Sequence, residues 1–118
     1  PVELFPDILD HLRSAQHNEY QEWDHDYAGF SRTAQEEGFQ EIAHIFSMIA
    51  GIEKTHGDRF GKFAELLEQD KLFVSDVQVK WMCLNCGQII DATMAPAVCP
   101  VCKHPQGYFI RWEMAPFE

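Results

Sequence analysis

Four cysteines in two tight pairs constrain this chain more than anything else in it. Cys83-Leu84-Asn85-Cys86-Gly87 is followed, after twelve intervening residues, by Cys99-Pro100-Val101-Cys102. Two residues between cysteines let both thiolates grip one ion from a single tight turn. Gly87 lets the backbone fold back, so that amide N–H groups can point at sulfur. Two such turns supply four sulfurs in a tetrahedron, an arrangement that suits zinc or iron. Spacing by itself favours zinc over iron, with disulfides a distant third. The stretch from Trp81 to Glu118 is rich in Cys, Pro and Gly and short of apolar bulk. Small modules of that kind need a metal or another staple to fold. Trp81, Tyr108, Phe109 and Trp112 are the expected core of this one.

The remaining sequence reads as helical. Apolar periodicity runs from about Pro6 to Glu37, with Pro6 and Asp7 suited to a first turn and Gly38 to a stop. A second run extends from about Phe39 to Gln69. The connection is too short for anything but an antiparallel hairpin. The expected organisation is a helical hairpin over residues 1–70, a linker over 71–79 and a metal-bound β module over 80–118. Leu72-Phe73-Val74 and Val77-Gln78-Val79 read as extended or strand-like.

Composition narrows the function classes. Nineteen acids against nine basic residues leave a formal charge of −10, which argues against nucleic acid as a partner. No apolar run approaches the roughly 20 residues needed to span a bilayer. No basic segment leads into an apolar stretch at the N-terminus, so no signal peptide is read there. The expectation is a cytoplasmic protein without a membrane partner. Paired cysteines in a reducing compartment more often bind metal than each other.

The placement of the acids is the second signal. On the first helix the apolar stripe reads Ile8, Leu12, Ala15, Glu19, Glu22, Asp26 or Tyr27, Phe30, Ala34. Its steps of three and four put these positions on one face. On the second it reads Ile42, Phe46, Ile49, Glu53, His56, Phe60, Phe63, Leu67. An ionised carboxylate on a buried face costs several kcal/mol unless it is paired or holds a cation. Each helix sets two candidate ligands in the middle of its stripe, and antiparallel pairing brings those middles to one level. Oxygen-rich donors with one imidazole per hairpin suit iron or manganese. The bland alternative leaves these acids at the stripe edge, facing water. His11, His17, His25, His44 and His104 form no second cluster and read as surface or packing residues.

These residues bring a family into view. Glu19-Tyr20-Gln21-Glu22-Trp23 resembles the third helix of the rubrerythrin bundle. Glu36 to Ala43 is similar to its turn into the fourth helix, and Glu53-Lys54-Thr55-His56 to its Glu-x-x-His motif. Cys83 to Phe109 resembles its rubredoxin-like tail. The resemblance covers nearly the whole chain. It shifts the preferred metal at Cys83, Cys86, Cys99 and Cys102 from zinc to a rubredoxin-type iron, zinc staying open. It implies half of a ferritin-like four-helix bundle followed by a rubredoxin-like domain. Glu19, Glu22, Glu53 and His56 become di-iron ligands, with Tyr27 beside the carboxylates. The implied activity is oxidoreductase chemistry: a peroxidase reducing hydrogen peroxide in defence against oxidative stress. Electrons would pass from an external reductase through the cysteine-bound iron to the di-iron site.

The family's first helix pair, with its own Glu and Glu-x-x-His, has no counterpart in this sequence. A ferritin-like site needs both sets, so a second hairpin is expected to complete the bundle. A homodimer mate is the simplest source, since a two-fold axis would repeat every ligand, Glu22 included. A separate polypeptide or a segment removed by cleavage is the other. Two rival readings stand beside the peroxidase: a non-catalytic zinc ribbon on a helical hairpin serving as an assembly module, and a ferroxidase or iron-handling protein.

Overall fold

A computed structural model describes residues 4–115. The chain divides into two compact units, meeting between Glu68 and Gln69.

The first unit is the hairpin. Helix α1 spans Ile8–Gln21 and α2 spans Tyr27–Glu36, joined by a π-helical stretch, Glu22–Asp26; α3 runs Gln40–Glu68. Asp7 is the N-cap of α1, its carboxylate accepting from the Leu9 N–H, so Pro6 and Asp7 lie before the helix rather than in its first turn. The expected single helix from Pro6 to Glu37 is therefore three pieces on one axis. In the π stretch the Tyr27 N–H bonds back to the Glu22 carbonyl, five residues away. One extra residue is thus accommodated between Glu22 and Tyr27. This resolves the choice between Asp26 and Tyr27 in the stripe: the step from Glu22 to the next apolar position is five residues, and Tyr27 takes it.

The hairpin turn is built on Gly38, whose φ is +89°. The Phe39 N–H bonds to the Ala34 carbonyl at 2.8 Å and the Gly38 N–H to the Gln35 carbonyl at 3.1 Å. That is a Schellman pair, which satisfies carbonyls that the helix end would otherwise orphan. Small residues line the seam between the helices: Ala34, Ala43, Ala50, Gly57, Gly61 and Ala64 are the buried positions of the unit. They let the two backbones come close but bury little apolar area. The large side chains are left half out, with Phe30 51% exposed, Ile45 45%, Met48 50% and Ile52 52%. An apolar face of this extent on a two-helix unit is a surface that further helices cover.

The second unit is a three-stranded antiparallel sheet in the order β2-β1-β3. Strand β1 is Val74–Cys83, β2 is Ile89–Met94 and β3 is Phe109–Arg111. Residues 74–79, expected as linker, are the first half of β1, and the register shifts between Val74 and Val79. The extended character expected at Leu72-Phe73-Val74 and Val77-Gln78-Val79 is thus part of the sheet and not of a connection. Trp81, Cys83, Ala95, Cys99 and Phe109 make the core. Trp81 is fully buried and its indole N–H is satisfied by the Ala92 carbonyl at 3.0 Å. With two cysteines among five core residues, the core and the metal site are one structure.

Candidate metal centres

Each cysteine pair sits on a turn of the same design. In the first, the Gly87 N–H bonds to the Cys83 carbonyl and the Cys83 N–H to the Gln88 carbonyl; in the second, Lys103 and His104 repeat those bonds with Cys99. Gly87 takes φ +85° without strain, whereas Lys103 takes the equivalent left-handed value of +67° despite its side chain. Its ammonium donates to the Pro100 carbonyl at 2.9 Å.

The four sulfurs lie within 4.8 Å of one another. Cys83 and Cys102 Sγ are 3.7 Å apart, as are Cys86 and Cys99 Sγ. A disulfide needs about 2.05 Å. A regular tetrahedron of sulfurs with metal–sulfur bonds of about 2.3 Å has edges of about 3.8 Å. The sulfurs are therefore spaced for an ion and not for each other.

Their protons are unequally held. Cys102 is pulled down to about 5, first by the His104 backbone N–H and then by the side chains of Asn85 and His104. Cys99 is lowered, chiefly by the Cys102 backbone N–H. Cys86 accepts a bond from the Gln88 backbone, which lowers it, but desolvation and the other three sulfurs outweigh this and push it up to about 11. A site that lowers two thiols and raises a third is short of positive charge for the full set, which a metal supplies. His104 stacks edge-on with Tyr108 at 4.5 Å and keeps a buried, unbonded Nδ1. The expectation of a surface or packing role for His104 is therefore corrected: it touches the Cys102 sulfur. Its signal was position, two residues past the last cysteine, where the turn folds it back over sulfur.

The helices carry the second centre. Glu19 on α1 and Glu53 and His56 on α3 bring one ligand atom each within 4.8 Å of the others. His56 offers Nδ1, at 2.8 Å from Glu53 Oε2 and 3.5 Å from Glu19 Oε2. The carboxylates are mostly covered, at 23% and 15% side-chain exposure, while His56 is at 42%. Glu19 Oε2 is buried without a hydrogen-bond partner, and such an atom costs roughly 1–3 kcal/mol or more if nothing binds it. Desolvation, then the Glu53 carboxyl, raise the Glu19 pKa above its ordinary range. This donor set, oxygen-rich with one imidazole and an orphaned oxygen, fits a hard or borderline cation.

Glu22 and Tyr27 do not join that trio. Glu22 opens the π stretch, and its charge still reaches Glu19 and raises its pKa. The Tyr27 ring packs between Phe30 at 5.7 Å and Phe46 at 6.0 Å. Among the described residues its hydroxyl has no carboxylate partner.

The raised Glu19 pKa has a sign that can be measured. A carboxyl whose folded pKa exceeds its ordinary value of 4.5 favours folding below that pH and loses the contribution as pH rises through the folded value. Metal-free Glu19→Gln is therefore expected to melt higher than the metal-free parent at pH 7. The gap should close near pH 4. Thermal melts followed at a helical wavelength, with and without divalent cation, check this; added cation should reverse the order at pH 7.

Residues 5–81 match the family model described as rubrerythrin, and residues 81–110 match the one described as rubrerythrin, rubredoxin-like domain. Rubrerythrin of Clostridium perfringens is 46% identical over 109 residues, covering 92% of this chain and 56% of that protein. Rubrerythrin of Porphyromonas gingivalis is 38% identical over 109 residues, covering 92% and 54%. Among solved structures, nigerythrin in a partially reduced state superposes with a TM-score of 0.53 at 25% identity, over 94% of this chain and 52% of that one. The chain spans about half the length of the curated relatives it matches.

Proposed function

From a chain that belongs to the rubrerythrin family, we propose a non-haem di-iron peroxidase that reduces hydrogen peroxide to water. Cys83, Cys86, Cys99 and Cys102 would hold a rubredoxin-type iron, which would relay electrons from an external reductase. The observation that carries the reading is the convergence of Glu19, Glu53 and His56 inside an apolar face, with one carboxylate oxygen left unbonded.

The reaction consumes one peroxide, two electrons and two protons and yields two waters. Bound ferrous iron would supply the electrons and the Lewis acidity for breaking the O–O bond. The chain's own residues do the rest. Glu53 Oε2 lies 2.8 Å from His56 Nδ1, which turns that nitrogen toward both carboxylates, where a cation would take the place of a shared proton. Desolvation raises the Glu19 pKa and so disfavours its charge until a cation stands beside it. Ile49, Phe60 and the neighbouring apolar residues of the stripe keep the surroundings of low polarity, which strengthens every charge interaction there. Glu22 lies one step along the same face and completes the carboxylate supply when it turns inward.

One hairpin provides one Glu and one Glu-x-x-His, so a second hairpin shares the centre and covers Ile45, Met48 and Ile52. A two-fold mate is the economical source, since every ligand then serves twice; the further length that the relatives possess is the other. Among the described residues no helix is long and apolar enough to cross a membrane.

The test is optical. Iron-loaded, fully reduced protein mixed with hydrogen peroxide is expected to turn red as the cysteine-bound iron is oxidised, two electrons being lost per peroxide. Colourless protein with zinc on the cysteines and no helix-bound metal would favour the assembly-module reading. Iron oxidation at an undiminished rate in Cys83→Ser would favour a ferroxidase.

A further inference from the structure

Behind the carboxylates, on the other side of the helix seam, lies a cluster that the proposed chemistry does not use. Tyr20 follows Glu19 in sequence, and Gly57 follows His56. The Tyr20 ring packs directly on Gly57: a Cβ there would stand 2.5 Å from two ring carbons. The Tyr20 hydroxyl donates to Asp58 Oδ1, and Lys54 Nζ donates to Asp58 Oδ2 at 2.8 Å. Lys54 also sits over the Trp23 ring at 5.3 Å, and Trp23 meets Tyr20 edge-on at 5.7 Å. One turn further along, Gln16 fills the space over Gly61 in the same manner.

We propose that Tyr20 is a positioning residue for the carboxylate centre: its ring on Gly57 and its hydroxyl on Asp58 set the register at which Glu19 meets His56. The proposal rests on reading Glu19, Glu53 and His56 as metal ligands. Two side chains over two glycines, four residues apart on each helix, fit in one register only. A slip would drive a ring or an amide into backbone flanked by Cβ atoms. The need for such a lock follows from the π stretch. It begins two residues after Tyr20, and its hydrogen bonding holds a helix less firmly than an α turn does. Trp23, inside that stretch, is tied through Lys54 to the same carboxylate. Asp58 accepts from both the Tyr20 hydroxyl and the Lys54 ammonium, so one carboxylate ties α1, the π stretch and α3 together.

Manganese(II) is the probe, because a hard cation prefers the oxygen-rich centre to thiolates. The full chain, with zinc on its cysteines, is titrated with manganese and the free ion followed by electron paramagnetic resonance. Tyr20→Phe keeps the ring and frees the hydroxyl; it is expected to weaken manganese binding about threefold, and Gly57→Ala about tenfold, as outer partners of metal ligands do. In a Tyr20→Ala background, Gly57→Ala should cost little more, since the colliding ring is gone. Helical circular dichroism and melting curves accompany each titration. If the variants melt lower yet bind manganese with parental affinity and line shape, while Glu53→Ala loses it, Tyr20 only packs and the proposal falls. If the parent and Glu53→Ala take up manganese equally, the ligand reading falls, and this inference with it.

Discussion

Glu53→Ala is expected to lower peroxide turnover by at least about 100-fold and to empty the helical centre while leaving the cysteine-bound metal in place. Metal ligands matter more than their outer partners, whose loss already costs about 10–100-fold. Glu53 has two roles at once. It is the least exposed member of the trio, at 15%, and it holds His56 through a 2.8 Å bond to Nδ1. Alanine removes a ligand oxygen and frees the imidazole, and it leaves Glu19 with a buried carboxylate and no cation to face. The apolar stripe itself gains from the change, so the metal-free variant should be no less stable than its parent. Metal analysis together with peroxide consumption decides the matter. A variant that retains both full iron content and full rate would remove the helical centre from the reaction.

Stripping the metal from the four cysteines is expected to unfold the second unit and spare the helices. Structural tetrahedral sites of this class contribute about 10–16 kcal/mol of apparent binding energy, which is folding energy for so small a unit. The reason is visible in the core: Cys83 and Cys99 are fully buried and stand with Trp81 at its centre. Without an ion, four sulfurs at tetrahedral spacing repel as thiolates or sit as poorly bonded thiols. Cys99→Ser should act as chelation does, because serine offers a weaker donor and a buried hydroxyl in its place. Near-ultraviolet circular dichroism reports the packing of Trp81 and should collapse, while the helical signal persists. Persistence of the tryptophan signal in chelator would mean that the apolar residues suffice by themselves.

How far each element could be read from the sequence depended on whether its information was local. The hairpin, its turn at Gly38 and the metal knuckles all follow from residues within a few positions of each other. Periodicity locates a helix, Gly38 supplies the left-handed φ that ends it, and a C-x2-C turn needs only its own backbone. The start of β1 is legible as extended chain at Leu72-Phe73-Val74 and Val77-Gln78-Val79, but not as part of the sheet. Val74, Val77 and Val79 do not alternate strictly with polar residues, and the pairing partner near Met94 lies well down the chain. The π stretch left only a trace, the undecided step between Asp26 and Tyr27.

What the sequence determined by itself was which side chains are out of place: cysteines in pairs, and carboxylates among apolar residues, both of which need positive charge beside them. Only the tertiary structure decided which of them meet. It joined Glu19, Glu53 and His56, set Glu22 and Tyr27 apart from that trio, and brought His104 and Asn85 to the Cys102 sulfur. It also placed Tyr20 over Gly57, a contact between helices that no spacing along the chain encodes. The physical reason is the same in each case. Residue type and period fix what a face must satisfy, whereas distances between faces depend on how closely two backbones pack and in what register.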